Sequence, residues 1–484
     1  MASYLYRYEA RGIQRWILAT DVLRDLKGGS ECVERLGERA EALLGTLGCD
    51  VERQVTTAGV GQYIFPAFEP LARFSALWPL VVAVEAPGLE LSQAWVALSG
   101  SGPADEQAYG ELARRLGVAP RGGDVQVPEA GPLSARCGRT GMPAVGSEPV
   151  GPSAPELVDA PTARKRRESG GKRLEKRLFG DRAPVMDDDL DGWGASVLGV
   201  VHADGNNVGE AFRTVAGGRR KEASDQLSLA TARAVAGAVQ DLRDREGTRR
   251  RGLRVRLVVV GGDDVTAIVP GEHAIPFAAA YLRHFEEAAR SVFAAPLTAA
   301  AGVALVKTHF PFHMAYGLAE ELCAEVKAAF GRGATPRTAL AFHRVTTAQL
   351  DPWDDISDRL VAKTGARLTR PAYSLDELRD LDELTALFDG VVGEERDERQ
   401  RLPRGAVREW LRLAANDADR AGGRWRRLCE VTGDAVHGAL RGRLEALGAA
   451  VETGLGRRAT PVGDALSWAM VQRLRQGETR RLWT

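Results

Sequence analysis

The amino-acid sequence predicts an α+β fold, and three observations support that class. A strand-like run at 195–201 precedes the stretch 221–246, whose apolar residues recur every three or four positions, the spacing of an amphipathic helix. Two runs rich in β-branched residues, 253–260 and 265–269, flank a Gly-Gly turn and are typical of a hairpin. Helical spacing returns in several segments beyond residue 402. Strand, helix and hairpin in this order are most of a ferredoxin-like unit, the fold of many polymerase palms.

The strand ends of this unit carry three carboxylates. Asp263 and Asp264 follow Gly261 and Gly262 in the hairpin turn, and Asp204 ends the first strand. Adjacent carboxylates repel unless water or cations surround them. Three of them are able to hold two Mg²⁺ ions, which activate a ribose hydroxyl and neutralise a pyrophosphate leaving group. The sequence therefore predicts a divalent-metal site at the hairpin tip.

Ordinary turns are the competing interpretation, because Gly and Asp are common turn residues. The order of the two acidic motifs, with a helix between them, favours the metal site over plain turns. After Asp204, the residues Gly205 and Asn206 predict a tight loop into a helix. Backbone N–H groups at the start of that helix would suit phosphate oxygens.

These motifs resemble the palm of the large polymerase/cyclase subunit of type III CRISPR effector complexes. The resemblance rests on Asp204-Gly205-Asn206-Asn207, on the Gly261-Gly262-Asp263-Asp264 hairpin, and on the segments 297–307, 310–312 and 314–329. In that family, and in the related GGDEF cyclases, the strand–Pro–helix–Lys segment completes the catalytic palm. The chain departs from GGDEF enzymes in having Asp264-Val265 where they have Glu-Phe.

The resemblance implies ATP as substrate and Mg²⁺ or Mn²⁺ as cofactor. Asp204, Asp263 and Asp264 would bind the metals. Lys327 matches a lysine that reaches nucleotide phosphates, and it would stabilise charge developing on the leaving group. The residues that the resemblance assigns to nucleotide pockets are Gly205, Asn206, Gly261, Gly262, Gly28, Gly29 and Ser30.

Two positions depart from the family pattern. Ala300 stands where the family often has Ser, so any role of that hydroxyl is lost or unnecessary here. Asn206 stands where a second Asp is common. Either one metal ligand is weaker in this chain, or Asn206 binds through its amide oxygen.

The N-terminal segment 6–31 is similar to the opening strand and helix of the family's first palm. In this interpretation Gly12-Ile13-Gln14 begins the helix and Gly28-Gly29 ends it, since glycine is a common helix stop. Ser30 would then cap the next helix, 31–47. The resemblance places Gly28, Gly29 and Ser30 near a second ATP.

A hairpin is predicted next, from the runs 51–57 and 59–65, and its turn carries no acidic residue. A ferredoxin-like domain without chemistry therefore fits this half well. The complete prediction is an α+β fold of two ferredoxin-like palm domains of the nucleotidyl cyclase/polymerase type with a helical C-terminal domain. The predicted units are a first palm at 1–125, a loop-rich linker at 126–185, the catalytic palm at 186–345 and the helical domain at 346–484.

Charge and cysteine content narrow the class. Lys plus Arg and Asp plus Glu number 65 each, so the overall balance shows no nucleic-acid signature. Basic residues cluster at 164–177, where they either contact RNA or form a solvated helical face.

Five cysteines without Cys-x-x-Cys spacing argue against a disulfide framework and a structural zinc site, and Cys137 resembles a degenerate zinc-ribbon remnant. Without a signal-peptide pattern or a membrane-length apolar run, we expect a cytoplasmic location and no membrane partner.

The C-terminal segment begins with a capping-box pattern, in which Glu377 lies three residues after Ser374. The helices that follow carry many arginines on their polar faces. Two interpretations stay open: a docking surface for a neighbouring effector-complex subunit, or a lid that only stabilises the palm.

The predicted function is synthesis of cyclic oligoadenylate-type messengers from ATP in type III CRISPR or related antiviral defence, with guide and target RNA as further partners. One alternative is a free-standing cyclic dinucleotide synthase without guide RNA. Another is a scaffold subunit that binds nucleotide without turnover. Longer members of the family carry an HD nuclease, which needs histidines; none precedes His202, so no such activity is expected.

Overall fold

The structure, a computed structural model, describes most of the 484 residues. The described residues are 3–20, 22–57, 59–98, 104–119, 131–149, 155–187, 190, 192–215, 219–247, 252–331, 335–347, 351–393, 395–397, 401–455 and 459–472.

The first palm is a ferredoxin-like unit, as predicted. Its four-stranded sheet has the order β2-β3-β1-β4, and each neighbouring pair is antiparallel. Its elements are β1 (Tyr4–Arg11), α1 (Ile13–Ile17), α2 (Leu23–Thr46), β2 (Glu52–Thr57), β3 (Val60–Phe65), α3 (Phe68–Glu85), β4 (Glu90–Ala97) and α4 (Glu106–Val118).

Helix α2 corrects the prediction of a helix stop at Gly28-Gly29 and a new cap at Ser30. It runs without interruption from Leu23 to Thr46. A Cβ on Gly28 would collide with the backbone carbonyl of Lys165, so the glycine permits close approach of a neighbouring helix rather than a turn. Ser30 donates hydrogen bonds to the carbonyls of Leu26 (3.2 Å) and Val258 (2.5 Å) instead of capping a helix.

A short connecting region follows the first palm. It consists of β5 (Ala144–Glu148), β6 (Glu156–Asp159), α5 (Ala160–Glu168), α6 (Arg173–Phe179) and a 3₁₀ turn (Gly180–Arg182). Helix α5 packs against α2, where Gly28 leaves room for it.

Two residues of the basic cluster in this region lie in the interior, which neither sequence interpretation predicted. Lys165 and Arg166 are 1% and 4% exposed. Arg166 forms ion pairs with Asp25 and Glu156, both at 2.9 Å. An isolated buried charge would destabilise the fold, and these ion pairs neutralise Arg166. The pair with Asp25 also links the connecting region to α2. The exposed basic residues of the region are Arg167, Lys172, Lys176 and Arg177.

The second palm repeats the ferredoxin-like order and extends it. Its sheet order is β12-β11-β10-β7-β9-β8, in which β10 and β11 are parallel and the other neighbours antiparallel. Its elements are β7 (Val197–Gly205), α7 (Val208–Arg213), α8 (Arg220–Glu246), β8 (Arg256–Gly261), β9 (Asp264–Pro270), α9 (Gly271–Ala288), β10 (Ala299–Lys307), α10 (Phe312–Phe330), β11 (Ala339–Arg344), α11 (Trp353–Arg359) and β12 (Tyr373–Ser374).

The sheet of the second palm is covered on both faces. On one face Val201 and Val265 join the core formed with α8 and α9. On the other face Val200 and Ile268 join a core that contains α10 and the first palm. Successive strand residues point to opposite faces, so burial on both sides requires unbroken apolar runs. The two palms therefore share one hydrophobic core.

The C-terminal region is mostly helical, as predicted. Its first helix begins with the predicted capping box, in which Ser374 and Glu377 bond reciprocally. Its elements are α12 (Leu375–Ala386), a 3₁₀ turn (Leu387–Asp389), β13 (Val391–Val392), β14 (Glu395–Arg396), α13 (Arg404–Asn416), α14 (Ala418–Val431), α15 (Asp434–Ala446) and α16 (Val462–Ala469). Among the helices in the described ranges, none is both long and apolar enough to cross a membrane.

Candidate functional site

The loop after β7 is fixed by asparagines. Asn207 has a left-handed backbone (φ 55°) and precedes α7, which begins at Val208. Asn206 is 3% exposed, and its amide nitrogen donates to Thr298 Oγ1 at 2.9 Å. Asn207 donates to the carbonyl of Gly331 at 3.1 Å. The two asparagines thus tie the end of β7 to the strand and helix beside it.

The hairpin between β8 and β9 closes tightly. Gly261 pairs with Asp264, which leaves Gly262 and Asp263 as the two loop residues. Gly262 has φ 60°, and positive φ at the first loop residue alone is the requirement of a type II′ turn. Thr231 on α8 is fully buried and donates to the carbonyl of Gly262 at 2.6 Å. Sequence reasoning missed Thr231, because it looked like one more polar residue on a helix.

The structure brings Asp204, Asp263 and Asp264 together. A Cβ on Gly205 would lie 2.9 Å from Asp263 Oδ2, so glycine at this position lets the hairpin carboxylate approach β7. Burial, reinforced by the neighbouring charge of Asp204, raises the pKa of Asp263 to about 7. Burial and the same group of carboxylates also raise the pKa of Asp264. The cost of crowding these charges favours either protons or cations at this tip.

Lys327 also lies at the site. It is on α10, and its ammonium forms an ion pair with Asp204 Oδ2. The helix is placed by Gly302 of β10, since a Cβ there would collide with the backbone of α10 at Ala319. Ala300 lies opposite Asp204 in the register of β10 and β7 and is fully buried.

Two further residues touch Asp264 and were not predicted. Gln14 of α1 donates a hydrogen bond from its side-chain amide to Asp264 Oδ2. His202 Nδ1 lies 3.4 Å from the other oxygen, Oδ1. Burial lowers the pKa of His202 to about 4, which leaves the ring neutral at physiological pH. No local signal marks Gln14, because it lies on the other palm.

The donor set fits a divalent metal chemically. Carboxylate oxygens are the ligands that Mg²⁺ prefers, and Asp264 Oδ1 is buried without a hydrogen-bond partner. Across the described ranges, however, no three His, Cys, Asp or Glu side chains are already gathered as a metal cage. Lys327 instead neutralises Asp204. Metal binding would therefore require Asp204 to exchange the ammonium for the cation.

A cleft of about 480 Å³ adjoins the site between the first palm and α10. Its lining includes Gln14 from α1 and Tyr316 and Glu320 from α10. Arg11 and Arg15 also line it. The cleft is therefore mixed in charge, and Gln14 connects it to Asp264 of the hairpin.

The residues 197–335 match the family model of the Cas10/Cmr2 second palm domain. That range contains Asp204, the Gly261-Gly262-Asp263-Asp264 hairpin and Lys327. The second palm is therefore similar to the Cas10/Cmr2 palm domain. The resemblance inferred from the sequence is thereby confirmed, and the chain is Cas10-like.

Solved structures agree with this Cas10-like fold. A Csm1–Csm4 cassette in complex with AMPPNP matches with a TM-score of 0.59 at 15% identity, over 98% of this chain and 70% of that chain. The cassette with one ATP gives 0.60 at 14%, over 98% and 70%. The cassette with cA4 gives 0.58 at 13%, over 97% and 70%. At such low identity the likeness shows a shared fold; no curated protein matches the chain.

Gly28, Gly29 and Ser30, which the resemblance assigns to a second nucleotide pocket, are buried within α2. Gly28 is covered by α5, a Cβ on Gly29 would meet Ile17, and Ser30 is bonded to β8. Their place in a nucleotide pocket stays a prediction.

Proposed function

We propose that the chain is an ATP-dependent nucleotidyltransferase that makes cyclic oligoadenylate-type messengers in type III CRISPR or CRISPR-like defence. The observation that carries this proposal is the meeting of Asp204, Asp263, Asp264 and Lys327 at one hairpin tip of a Cas10/Cmr2 palm. Complexes of fold neighbours with ATP, AMPPNP and cA4 support the same substrate class.

The reaction joins two nucleotides. A ribose hydroxyl of one attacks the α-phosphorus of ATP, a new P–O bond forms, pyrophosphate leaves, and the hydroxyl proton is lost to solvent. Mg²⁺ or Mn²⁺ bound by Asp204, Asp263 and Asp264 would supply charge neutralisation and lower the pKa of the attacking hydroxyl.

The residues of the chain itself bind and orient the substrates. Gly205, Gly261 and Gly262 keep the backbone free of side chains where a triphosphate would lie. Lys327, released from Asp204, would donate hydrogen bonds to phosphate oxygens and stabilise the departing pyrophosphate. The cleft beside Gln14 and Tyr316 is the place we assign to the second nucleotide, because Gln14, which lines it, also contacts Asp264 of the hairpin.

The proposed partners are other effector-complex subunits, docked through the helical C-terminal region, together with guide and target RNA. The fold neighbours were crystallised as Csm1–Csm4 cassettes, which supports subunit partners. Purification of the chain from its native source would separate this proposal from a free-standing synthase: guide RNA and RNA-binding subunits would accompany the former only.

The deciding assay incubates purified chain, and separately its native complex, with labelled ATP and Mg²⁺ or Mn²⁺, and identifies products by mass spectrometry. We expect an oligoadenylate from the wild type and none from Asp263→Ala/Asp264→Ala. Binding of ATP without product from chain and complex alike would contradict synthesis and leave a scaffold.

A further inference from the structure

Gln14 links the first palm to the acidic hairpin of the second. Its side-chain amide donates to Asp264 Oδ2, although 250 positions separate the two residues in sequence. Glu320 of α10 also lies close enough for its negative charge to repel this carboxylate and raise its pKa. The uncharged amide of Gln14 therefore donates to the Asp264 carboxylate, which neighbouring carboxylates repel.

The helix that carries Gln14 is firmly seated. Gly12 starts α1 from a left-handed backbone (φ 58°), a conformation that glycine adopts without strain. Trp16 Nε1 donates to the carbonyl of Pro87 at 2.8 Å. The Lys165 ammonium donates to the carbonyl of Trp16 and lies 4.4 Å from the centre of its ring. These contacts fix Gln14 relative to the first palm and to α5.

The two oxygens of Asp264 have different surroundings. Oδ2 accepts the hydrogen bond from Gln14, whereas Oδ1 is buried without a hydrogen-bond partner. Rotation of the carboxylate about its Cβ–Cγ bond would exchange them. A donor that holds Oδ2 prevents this exchange and leaves Oδ1 available, which is how hydrogen bonds from neighbouring residues orient metal ligands.

We propose that Gln14 is a positioning residue for the metal site, holding Oδ2 of Asp264 so that Oδ1 is free to bind a divalent cation. The inference rests on the proposed function, since it assumes that Asp264 binds metal. It adds that the metal site is completed by the first palm. Any shift of α1 relative to the hairpin would then weaken metal binding without touching the acidic residues.

The test measures Mn²⁺ binding to the full chain, with Mn²⁺ alone and no nucleotide, from the electron paramagnetic resonance signal of free Mn²⁺. Gln14→Leu keeps the size of the side chain and removes the donor. We expect about tenfold weaker binding, the loss typical of removing such an outer partner. Turnover of ATP by the same variant should recover at saturating Mn²⁺, with a raised KM for Mn²⁺ and a kcat near that of the wild type.

The matched control is Gln240→Leu, which removes a similar amide–carboxylate bond to Asp244 (2.8 Å) on the surface of α8. It should bind Mn²⁺ as the wild type does. Thermal unfolding of all variants establishes that they are folded, and Gln14→Ala provides a second deletion of the donor should Gln14→Leu be unstable.

The outcomes separate the two proposals. If Asp264→Asn loses Mn²⁺ binding but both Gln14 variants retain wild-type affinity, the positioning role is wrong and the metal site stands. If Asp264→Asn binds Mn²⁺ as tightly as the wild type, the metal role of Asp264 fails, and the inference about Gln14 fails with it.

Discussion

The two palms share one strand order and differ at the ends of their strands. At the end of the first strand of each palm a charged residue precedes a glycine, Arg11-Gly12 in one palm and Asp204-Gly205 in the other. The corresponding hairpins close at Thr57 and Val60 in the first palm but at Gly261 and Asp264 in the second. The same fold thus has an uncharged hairpin in one copy and two carboxylates on the hairpin in the other, and function resides in such residues rather than in the fold.

Their cores differ as well. The first palm is filled by large rings packed edge-on or stacked, and these are Tyr6, Tyr8, Tyr63, Phe65, Phe74 and Trp78. The second palm uses Ala, Val and Gly where helices press on both faces of its sheet. Small residues let α10 approach closely enough for Lys327 to reach Asp204. The close packing of α10 on the sheet of the second palm therefore helps to position Lys327 in the candidate site.

The largest effect should come from making the hairpin of the second palm as uncharged as the hairpin of the first. Asp263→Asn/Asp264→Asn removes the predicted metal ligands, and we expect ATP turnover to fall by about a thousandfold or more, since metal stabilisation is worth several kcal/mol. The measurement is product formation from labelled ATP. Asp225→Asn, an exposed change on α8, should leave turnover intact. If the double variant retained its activity, the hairpin carboxylates would not be what distinguishes the function of the two palms.

A second prediction concerns the close approach of α10. In Gly302→Ala the new methyl group meets the backbone of Ala319, so the unfolding free energy should fall by about 1–3 kcal/mol. Urea denaturation measures it. Gly317→Ala on α10 meets nothing within 4 Å and should be neutral or stabilising by about 1 kcal/mol. Equal stability of the two variants would show that the helix can move away freely.

The third prediction concerns the pH dependence that Asp263 of the second palm contributes to stability. The pKa of Asp263 is about 7 in the folded chain, above its value of about 3.9 in an unfolded chain. Between these values the folded state binds more protons, so the contribution of Asp263 to stability falls as pH rises from about 4 to 7.

In buffer with EDTA, the wild type should therefore lose stability over this window relative to Asp263→Asn. Unfolding midpoints at pH 5, 6, 7 and 8 test this. Adding Mn²⁺ at pH 8 should raise the stability of the wild type more than that of the variant. Parallel pH curves for the two proteins would contradict the raised pKa.

The smallest effect is expected at the support of the hairpin. Thr231→Val keeps the shape of the side chain but removes the hydrogen bond to Gly262, which should cost about 0.5–1.5 kcal/mol. Thr46→Val, which removes a hydroxyl bond on the exposed surface of α2, is the control and should cost less. A larger loss for Thr46→Val would mean that the tip does not depend on this support.

Local patterns were enough to predict the second palm. The apolar runs of β7, β8 and β9 and the spacing of α8 follow directly from periodicity, and the acidic motifs lie at the strand ends that those runs define. The capping box at Ser374 was predictable for the same reason, since its partner lies three residues away.

Contacts between distant segments could not be predicted in this way. Gly28-Gly29 has the local signature of a helix end, yet Gly28 permits the close approach of Lys165, which lies on another helix. Gln14 reaches Asp264 only because the palms pack together. Arg166 likewise looked exposed in sequence but forms a buried ion pair with Asp25.

The burial of α5 against α2 has a consequence for how the chain holds together. Helix α5, which lies between the palms in the sequence, contacts α2 through Arg166 and α1 through Lys165. These contacts do not depend on the chain being continuous between the palms. We therefore expect the fragments 1–149 and 155–484, when co-expressed, to associate through α5.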